Sequence, residues 1–328
     1  MASIGGRQAN ERSLPWLQEG EMPPAPLDRD RMHIISQGVA DPVFDYDIVP
    51  LTYTASRWMA FAIRCDINDM KKVTPEPLEL VDDVVEFWYV IHRHTMLGPY
   101  MEMGVTFSAQ VKSPDGQVYK GGYYPYMYLS NDSPIWAGRE PFGFPKKAAY
   151  IAAFEHGTND NYFNVLMERR GYILHSANGR YSDKPLPARP LFYGKTDWGR
   201  LNFRIITEPD VMSSEFQITY LPSELPPQFG TGHRFQLDPK SIRTATGPDV
   251  RAWFLQGTPF DFMGGQIPPK EVLGIITFTF NLIIPPAKKV WTHKITRTMD
   301  DVAKHCVYAT PYKYTMRHRF LLPQYPGG

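Results

Sequence analysis

Gly104-Val-Thr-Phe-Ser-Ala-Gln-Val111, Ser113-Pro-Asp-Gly-Gln117 and Tyr123-Tyr-Pro-Tyr-Met-Tyr-Leu129 read in succession as strand, turn and strand. The outer two stretches are rich in β-branched and aromatic residues, which suit a pleated, half-buried surface. Between them Pro, Asp and Gly occupy turn positions for which their backbone preferences are suited. The same pattern recurs on both sides: Trp58–Arg64 and Val84–Arg93 before it, and Tyr162–Glu168, Gly171–Ser176, Leu201–Ile206, Glu215–Tyr220 and Gly274–Ile284 after it. One short helix is predicted over Asp66–Val73, capped by Asp66 and stopped before Pro75. The chain carries 31 prolines in 328 residues, about twice the average usage of roughly 5%, so long helices are interrupted throughout. The expected fold is α+β and β-rich: an antiparallel, cone-shaped barrel or double sheet with short peripheral helices.

Three segments are expected. Residues 1–50 are polar and proline-rich and read as an extended arm; 51–292 form the folded domain; 293–328 are a basic extension (Lys294, Arg297, Lys304, Lys313, Arg317 and Arg319 against Asp300 and Asp301). From Lys288 onward the expectation is a solvated helix or an inter-subunit arm, packed on the domain or a neighbouring subunit. The formal charge of +1 offers no electrostatic attraction to nucleic acid or an acidic membrane. No apolar run approaches the ~18 residues of a membrane span, and Met1-Ala-Ser-Ile-Gly-Gly-Arg-Gln8 lacks the apolar core of a secretory leader. These features predict a cytoplasmic protein. With Cys65 and Cys306 as the only cysteines, neither a disulfide framework nor a four-cysteine zinc site is expected.

The chemistry centres on Gly138-Arg-Glu-Pro-Phe-Gly-Phe-Pro-Lys-Lys147, two adjacent lysines behind an aromatic–proline step. A lysine amine is nucleophilic only when neutral, and at an ordinary pKa near ~10.4 about one in 2,500 is neutral at pH 7. Apolar surroundings penalise the ammonium form and raise that fraction. In an extended segment successive side chains point to opposite faces, so the two lysines cannot line one pocket. Lys146 is expected inside and Lys147 outside in a structural contact, with desolvation rather than the second lysine activating the amine.

Several linked pieces resemble the acetoacetate decarboxylase superfamily: Val73-Thr-Pro-Glu-Pro-Leu-Glu-Leu80, Gly98-Pro-Tyr-Met-Glu102, Tyr126-Met-Tyr-Leu129 with Asn131 and Pro134, and Gly138-Arg-Glu with Pro145-Lys-Lys147. Val272–Val290 is similar to the family's last long strand, and the likeness covers about residues 51–292. The resemblance implies that Lys146 forms a Schiff base with a substrate ketone; acetoacetate decarboxylase is itself the standard example of a lysine activated in this way. It implies Glu102 as the pocket carboxylate and Met127 and Phe144 as apolar walls; Tyr100 and Tyr128, with hydroxyls able to donate hydrogen bonds, are expected at the substrate beside them. Arg139 and Glu140 are expected to brace the loop. No cofactor is implied, because the iminium is the electron sink. The implied partner is a small keto acid, and a homo-oligomer is expected.

Two departures bear on the substrate. The family's second pocket glutamate falls on Phe87, or with a one-residue shift on Trp88, while Glu86 is expected to face away. The family's pocket arginine has Arg57 as its nearest match, one residue out of register, which reverses facing in a strand. Loss of the second carboxylate implies a more apolar and roomier pocket, fit for an acetoacetate-like or a bulkier, aromatic β-keto acid. The expected activity is decarboxylation through a lysine iminium. The alternatives are aldolase–dehydratase chemistry on a keto acid and an aldehyde, and non-catalytic binding of a hydrophobic ligand. His92 and His94, which would share a strand face, raise a cupin-like metal site; the seven-residue gap from His94 to Glu102 and the absence of a further ligand at clear spacing argue against it.

Overall fold

The computed structural model describes residues 50–298, apart from 157, 159–160, 185–197, 210–211, 230–231, 256, 259–260, 262 and 297. The N-terminal arm, Cys306 and most of the C-terminal extension lie outside the described residues.

The chain begins with β1 (Leu51–Cys65), α1 (Ile67–Lys72), β2 (Glu79–His92), β3 (His94–Thr95), β4 (Tyr100–Lys112) and β5 (Val118–Leu129). It continues through α2 (Ser133–Phe142), β6 (Lys146–Ala148), β7 (Tyr150–His156), β8 (Tyr162–Arg169) and β9 (Tyr172–Arg180). The remainder is β10 (Gly199–Thr207), β11 (Ser213–Leu221), β12 (Phe235–Thr246), β13 (Val250–Phe254), α3 (Met263–Gln266), β14 (Pro269–Ile284) and β15 (Lys288–Thr296). A large sheet runs in the order β12-β14-β1-β2-β4-β5-β10-β11-β15, with β3 paired to β1 and β6 to β5. A second sheet has the order β13-β9-β8-β7. The pairing is antiparallel except where β5 meets β6 and β10 in parallel. The β-rich, double-sheet expectation therefore holds, with these two parallel contacts as an addition.

The helix expected at Asp66–Val73 forms over Ile67–Lys72, and the Asp66 side chain caps it by accepting from the Asn68 N–H. The segment from Lys288, expected as a helix or arm, instead forms β15, paired in antiparallel fashion with β11. Alternating Trp291, His293 and Ile295 suit a strand, and that strand runs through the boundary drawn at residue 292.

One pleat rule organises the domain. On β1, β2 and β4 the odd-numbered Met59, Phe61, Phe87, Tyr89, Val105 and Phe107 are fully buried in the core, which continues into Phe163 and Val165 of the second sheet. Each such side chain contributes roughly 1.5–3 kcal/mol by leaving water. The even-numbered residues Trp58, Trp88, Glu102 and Gly104 point to the other face. Two irregularities adjust this parity. In β5, Tyr124 and Pro125 together oppose Thr106 alone, a bulge between the Phe107–Tyr123 and Val105–Tyr126 pairs. In β1, Ala55 adopts φ 50° inside a register shift between Tyr53 and Ser56. The bulges put Tyr124 and Met127 on the face opposite the core, and Tyr53 on the same face as Trp58.

Candidate active site

That second face holds a cavity of about 60 Å³. Lys146 and Glu102 meet in it: Lys146 Nζ donates to Glu102 Oε1 at 2.9 Å, and the two side chains are only 7% and 8% exposed. Local structure holds each in place. Glu102 sits near the start of β4, between Val90 of β2 and Leu129 of β5. Lys146 opens β6, level with Met127 of β5.

The loop that delivers Lys146 comes off α2. Asp132 caps that helix, Pro134 occupies its first turn, and Gly143 ends it in the left-handed region at φ 81°. The N–H groups of Gly143 and Phe144 return to the carbonyls of Arg139 and Gly138. Arg139 Nη1 also donates to the Lys146 carbonyl at 3.2 Å, bracing the loop. Gly138 leaves room for the lysine: a Cβ there would stand 2.5 Å from Lys146 Cε and 2.9 Å from Nζ.

Lys147 points the other way. Its Nζ is 3.1 Å from Asp261 Oδ2 and lies over the Tyr126 and Tyr128 rings. The charged neighbour of Lys146 is thus Glu102, not the adjacent lysine.

Tyr100, Met127 and Phe144 line the cavity with the pair, and the Phe144 ring centre is 5.5 Å from Lys146 Nζ. Burial, reinforced by the Glu102 carboxylate, pushes the Tyr100 hydroxyl well up, so it is a neutral donor. Three other residues expected at the substrate do not reach it. Phe87 lies in the core against Phe254 and His175, because it has the odd parity of β2. Tyr128 faces the core side too, and its hydroxyl donates to Asp261 Oδ1 at 2.8 Å. Arg57 forms a two-point ion pair with Glu155 of β7, at 2.9 and 2.8 Å, and donates to the Ser241 carbonyl. Its register slip points it at the second sheet.

Trp88 is the residue on the cavity side of β2. Its indole packs over Gly104, where a Cβ would collide with the ring, stacks on Trp58 with centroids 4.7 Å apart, and donates to Thr106 Oγ1 at 2.7 Å. Two indoles fill the space, so the cavity is not the roomier one expected from the missing carboxylate. Glu86 shares the parity of Trp88 and is buried on this face rather than turned away. Its charge acts on Arg200 and Tyr124.

His92 and His94 separate. His92 is buried at the cavity, with Nδ1 2.7 Å from Ser56 Oγ, and burial lowers it to about 4. His94 is exposed on β3, after the strand breaks at Arg93. No group of three or more His, Cys, Asp or Glu suited to a metal occurs among the described residues.

Arg200 of β10 and Arg234, just before β12, also line the cavity. Sequence reasoning missed both. Each is a lone basic residue at or just before the start of a strand, more than 50 residues from the lysine, with no spacing to mark it. Among the described residues, no helix is long and apolar enough to cross a membrane.

Comparisons with known proteins bear on the family and the fold. Residues 41–288 match the family described as acetoacetate decarboxylase (ADC). An acetoacetate decarboxylase of Acidiphilium cryptum (strain JF-5) is 36% identical over 101 residues, covering 30% of this chain and 39% of the relative. Acetoacetate decarboxylase 1 of Bradyrhizobium diazoefficiens is 30% identical over 128 residues, 39% of this chain and 48% of its own. The chain thus matches less than half the length of these curated relatives. Among solved structures, an acetoacetate decarboxylase superposes with a TM-score of 0.62 at 22% identity, over 81% of this chain and 99% of that one. The enduracididine biosynthesis enzyme MppR, complexed with the condensation product of pyruvate and imidazole 4-carboxaldehyde, superposes with a TM-score of 0.56 at 14% identity, over 74% and 89%. These two likenesses concern the fold. With a family match spanning most of its length, the chain belongs to the acetoacetate decarboxylase family.

Proposed function

We propose that this protein is a Schiff-base-forming carbon–carbon lyase that decarboxylates a compact β-keto acid, with Lys146 as nucleophile and Glu102 as its proton partner. The observation that carries the reading is the buried 2.9 Å Lys146–Glu102 contact at a cavity. Proton transfer along that hydrogen bond converts the ammonium and carboxylate into an amine and a carboxylic acid. The amine adds to the ketone carbon, Glu102 returns its proton to the departing hydroxyl, and water leaves an iminium. The bond to the carboxylate then breaks. CO2 departs, and the bonding electrons move into the iminium to give an enamine. Protonation at carbon regenerates the iminium, and one water hydrolyses it, replacing the water released earlier. The sum is a β-keto carboxylate plus a proton giving a ketone and CO2. In this reading the Tyr100 hydroxyl holds the carbinolamine oxygen.

Cavity size bears on the substrate. About 60 Å³ is room for roughly four to six water-sized spheres, which suits a short-chain keto acid better than the aromatic one. A binder of hydrophobic ligands has no use for a buried ion pair, since removing such charges from water costs several kcal/mol each.

One second reading has its own support. The product in the MppR complex is a pyruvate–aldehyde condensate, and an iminium that releases CO2 to an enamine also supports aldol addition and dehydration. Incubation with acetoacetate, and separately with pyruvate and an aromatic aldehyde, distinguishes CO2 release from condensation. In either case borohydride with the keto acid is expected to leave a reduced adduct on Lys146. An unmodified Lys146, or undiminished turnover by Lys146→Ala, would sink both versions.

A further inference from the structure

The cavity carries more positive charge than the Lys146–Glu102 pair accounts for. Arg234 is only 4% exposed. Its backbone is pinned on both sides: its N–H donates to the Ser223 carbonyl at 3.0 Å, and its carbonyl accepts from the Ile283 N–H at 2.9 Å. Its side chain is different. Arg234 Nε is buried with no hydrogen-bond partner among the described residues. A guanidinium has five donors in a rigid fork, and a buried charged group left unsatisfied is costly to hold. Burial, and then repulsion from Arg200, lower Arg234 to about 9, which leaves it cationic at neutral pH.

Arg200 stands differently. Its guanidinium lies 5.8 Å from the Tyr124 ring centre, and it feels the Glu86 carboxylate. Counting charged groups at and beside the cavity gives three cations (Lys146, Arg200, Arg234) and two carboxylates (Glu102, Glu86), a surplus of one positive charge. The contacts also set a direction. From Lys146 the wall passes through Phe144, to Tyr124 at 5.5 Å between centroids, and then to Arg200. Arg200 therefore lies along an aromatic wall from the amine, and Arg234, which lines the same cavity, is near enough to feel the charges of Arg200 and Tyr124.

We infer that Arg234, with Arg200 beside it, is the carboxylate-binding end of this cavity, and that the ligand is a monocarboxylate held there with its carbonyl carbon toward Lys146. The carbonyl half of this inference rests on the Schiff-base reading above; the carboxylate half does not. A carboxylate accepts two parallel bonds from the Arg234 fork, satisfies the buried Nε donor and cancels the surplus charge. Arg234 thereby takes the role expected of Arg57, which Glu155 already occupies. Phe235 and Phe280, stacked 4.6 Å apart and lining the same cavity, give the ligand's carbon chain an apolar bed.

The test uses two half-ligands with the full chain: butanoate, a carboxylate without a ketone, and butanone, a ketone without a carboxylate. Butanoate affinity is read by calorimetry, and butanone capture by borohydride labelling of Lys146. Arg234→Gln is expected to weaken butanoate about 10- to 100-fold, the scale of lost charged hydrogen bonds, while butanone labelling stays within about twofold. Arg234→Lys, which keeps the charge but not the fork, is expected to fall between. Equal butanoate affinity in wild type and Arg234→Gln overturns the inference, as does loss of butanone labelling in both variants, which marks a purely structural arginine. Should wild type bind butanoate through Arg234 yet never label with butanone, the Schiff-base reading falls and the carboxylate site stands. Labelling without any Arg234 dependence of butanoate binding gives the reverse.

Discussion

Replacing Gly138 by alanine tests whether α2 positions the nucleophile. The added methyl would stand 2.5 Å from Lys146 Cε, 2.6 Å from Cδ and 2.9 Å from Nζ. Carbon atoms settle at about 3.5–4.0 Å, so the lysine stem must retreat by roughly 1 Å. The Nζ···Oε1 contact, now 2.9 Å, then opens beyond the ~3.2 Å at which N–H···O bonds hold. The backbone does not resist the change, since Gly138 is helical and has no positive φ. Alanine favours a helix over glycine by up to about 1 kcal/mol, which offsets part of the ~1.5–3 kcal/mol of a charged hydrogen bond. Stability should therefore change by no more than about 2 kcal/mol. A misplacement near 1 Å costs about 100-fold in rate. The expected result is a near-normal urea midpoint together with imine formation about 100-fold slower, measured by quenching borohydride labelling with acetoacetate at short times. Wild-type labelling kinetics in Gly138→Ala would refute the positioning argument. So would a parallel collapse of stability and rate, which would mean the methyl damages the fold rather than the lysine's aim.

Three further outcomes are expected. Lys147→Met should keep Lys146 labelling within a fewfold and cost about 1 kcal/mol in chemical denaturation, because Asp261 retains Tyr128 and Arg169 and the lysine is partly exposed; loss of labelling contradicts the two-face assignment. Trp88→Leu removes the indole over Gly104 and should shift relative turnover toward bulkier keto acids, with a stability cost nearing the ~3–5 kcal/mol of a large core truncation; an unchanged substrate range argues that Trp88 does not set cavity size. Burial lowers His92 to about 4 and His175 to about 3, below the unfolded value of ~6.5. The unfolded chain then takes up protons that the fold refuses, so this stability is fully present above pH ~6.5 and is lost as pH falls toward 4 and 3. At pH 5 each histidine accounts for roughly 2 kcal/mol, and a urea midpoint that stays flat from pH 7.5 to 5 contradicts it.

The β-rich architecture was legible in the sequence because alternation, aromatic content and turn residues are local signals. So was the Asp66-capped helix, since a cap and a following proline lie within ten residues of each other. The placing of Lys146 and Lys147 on opposite faces followed from the two-residue period of a strand. What failed were readings that needed parity over long distances. Phe87 and Tyr128 were counted onto the cavity face, but the pleat of β2 and the Tyr124–Pro125 bulge turn both into the core. A single inserted residue reverses everything beyond it, and no composition signal announces it. The basic run from Lys288 reads as a solvated segment by charge alone, whereas pairing with β11 makes it a strand.

By itself, then, the sequence determined a strand-built domain and the stretch that presents one lysine to an apolar setting, because periodicity and turn chemistry act between near neighbours. Tertiary structure decided which carboxylate meets that lysine, which indole limits the cavity, and that Arg234 rather than Arg57 stands in it. The lysine and its carboxylate stand 44 positions apart, and Arg234 lies 88 positions from the lysine with which it lines one cavity; only the closing of the sheet brings them together.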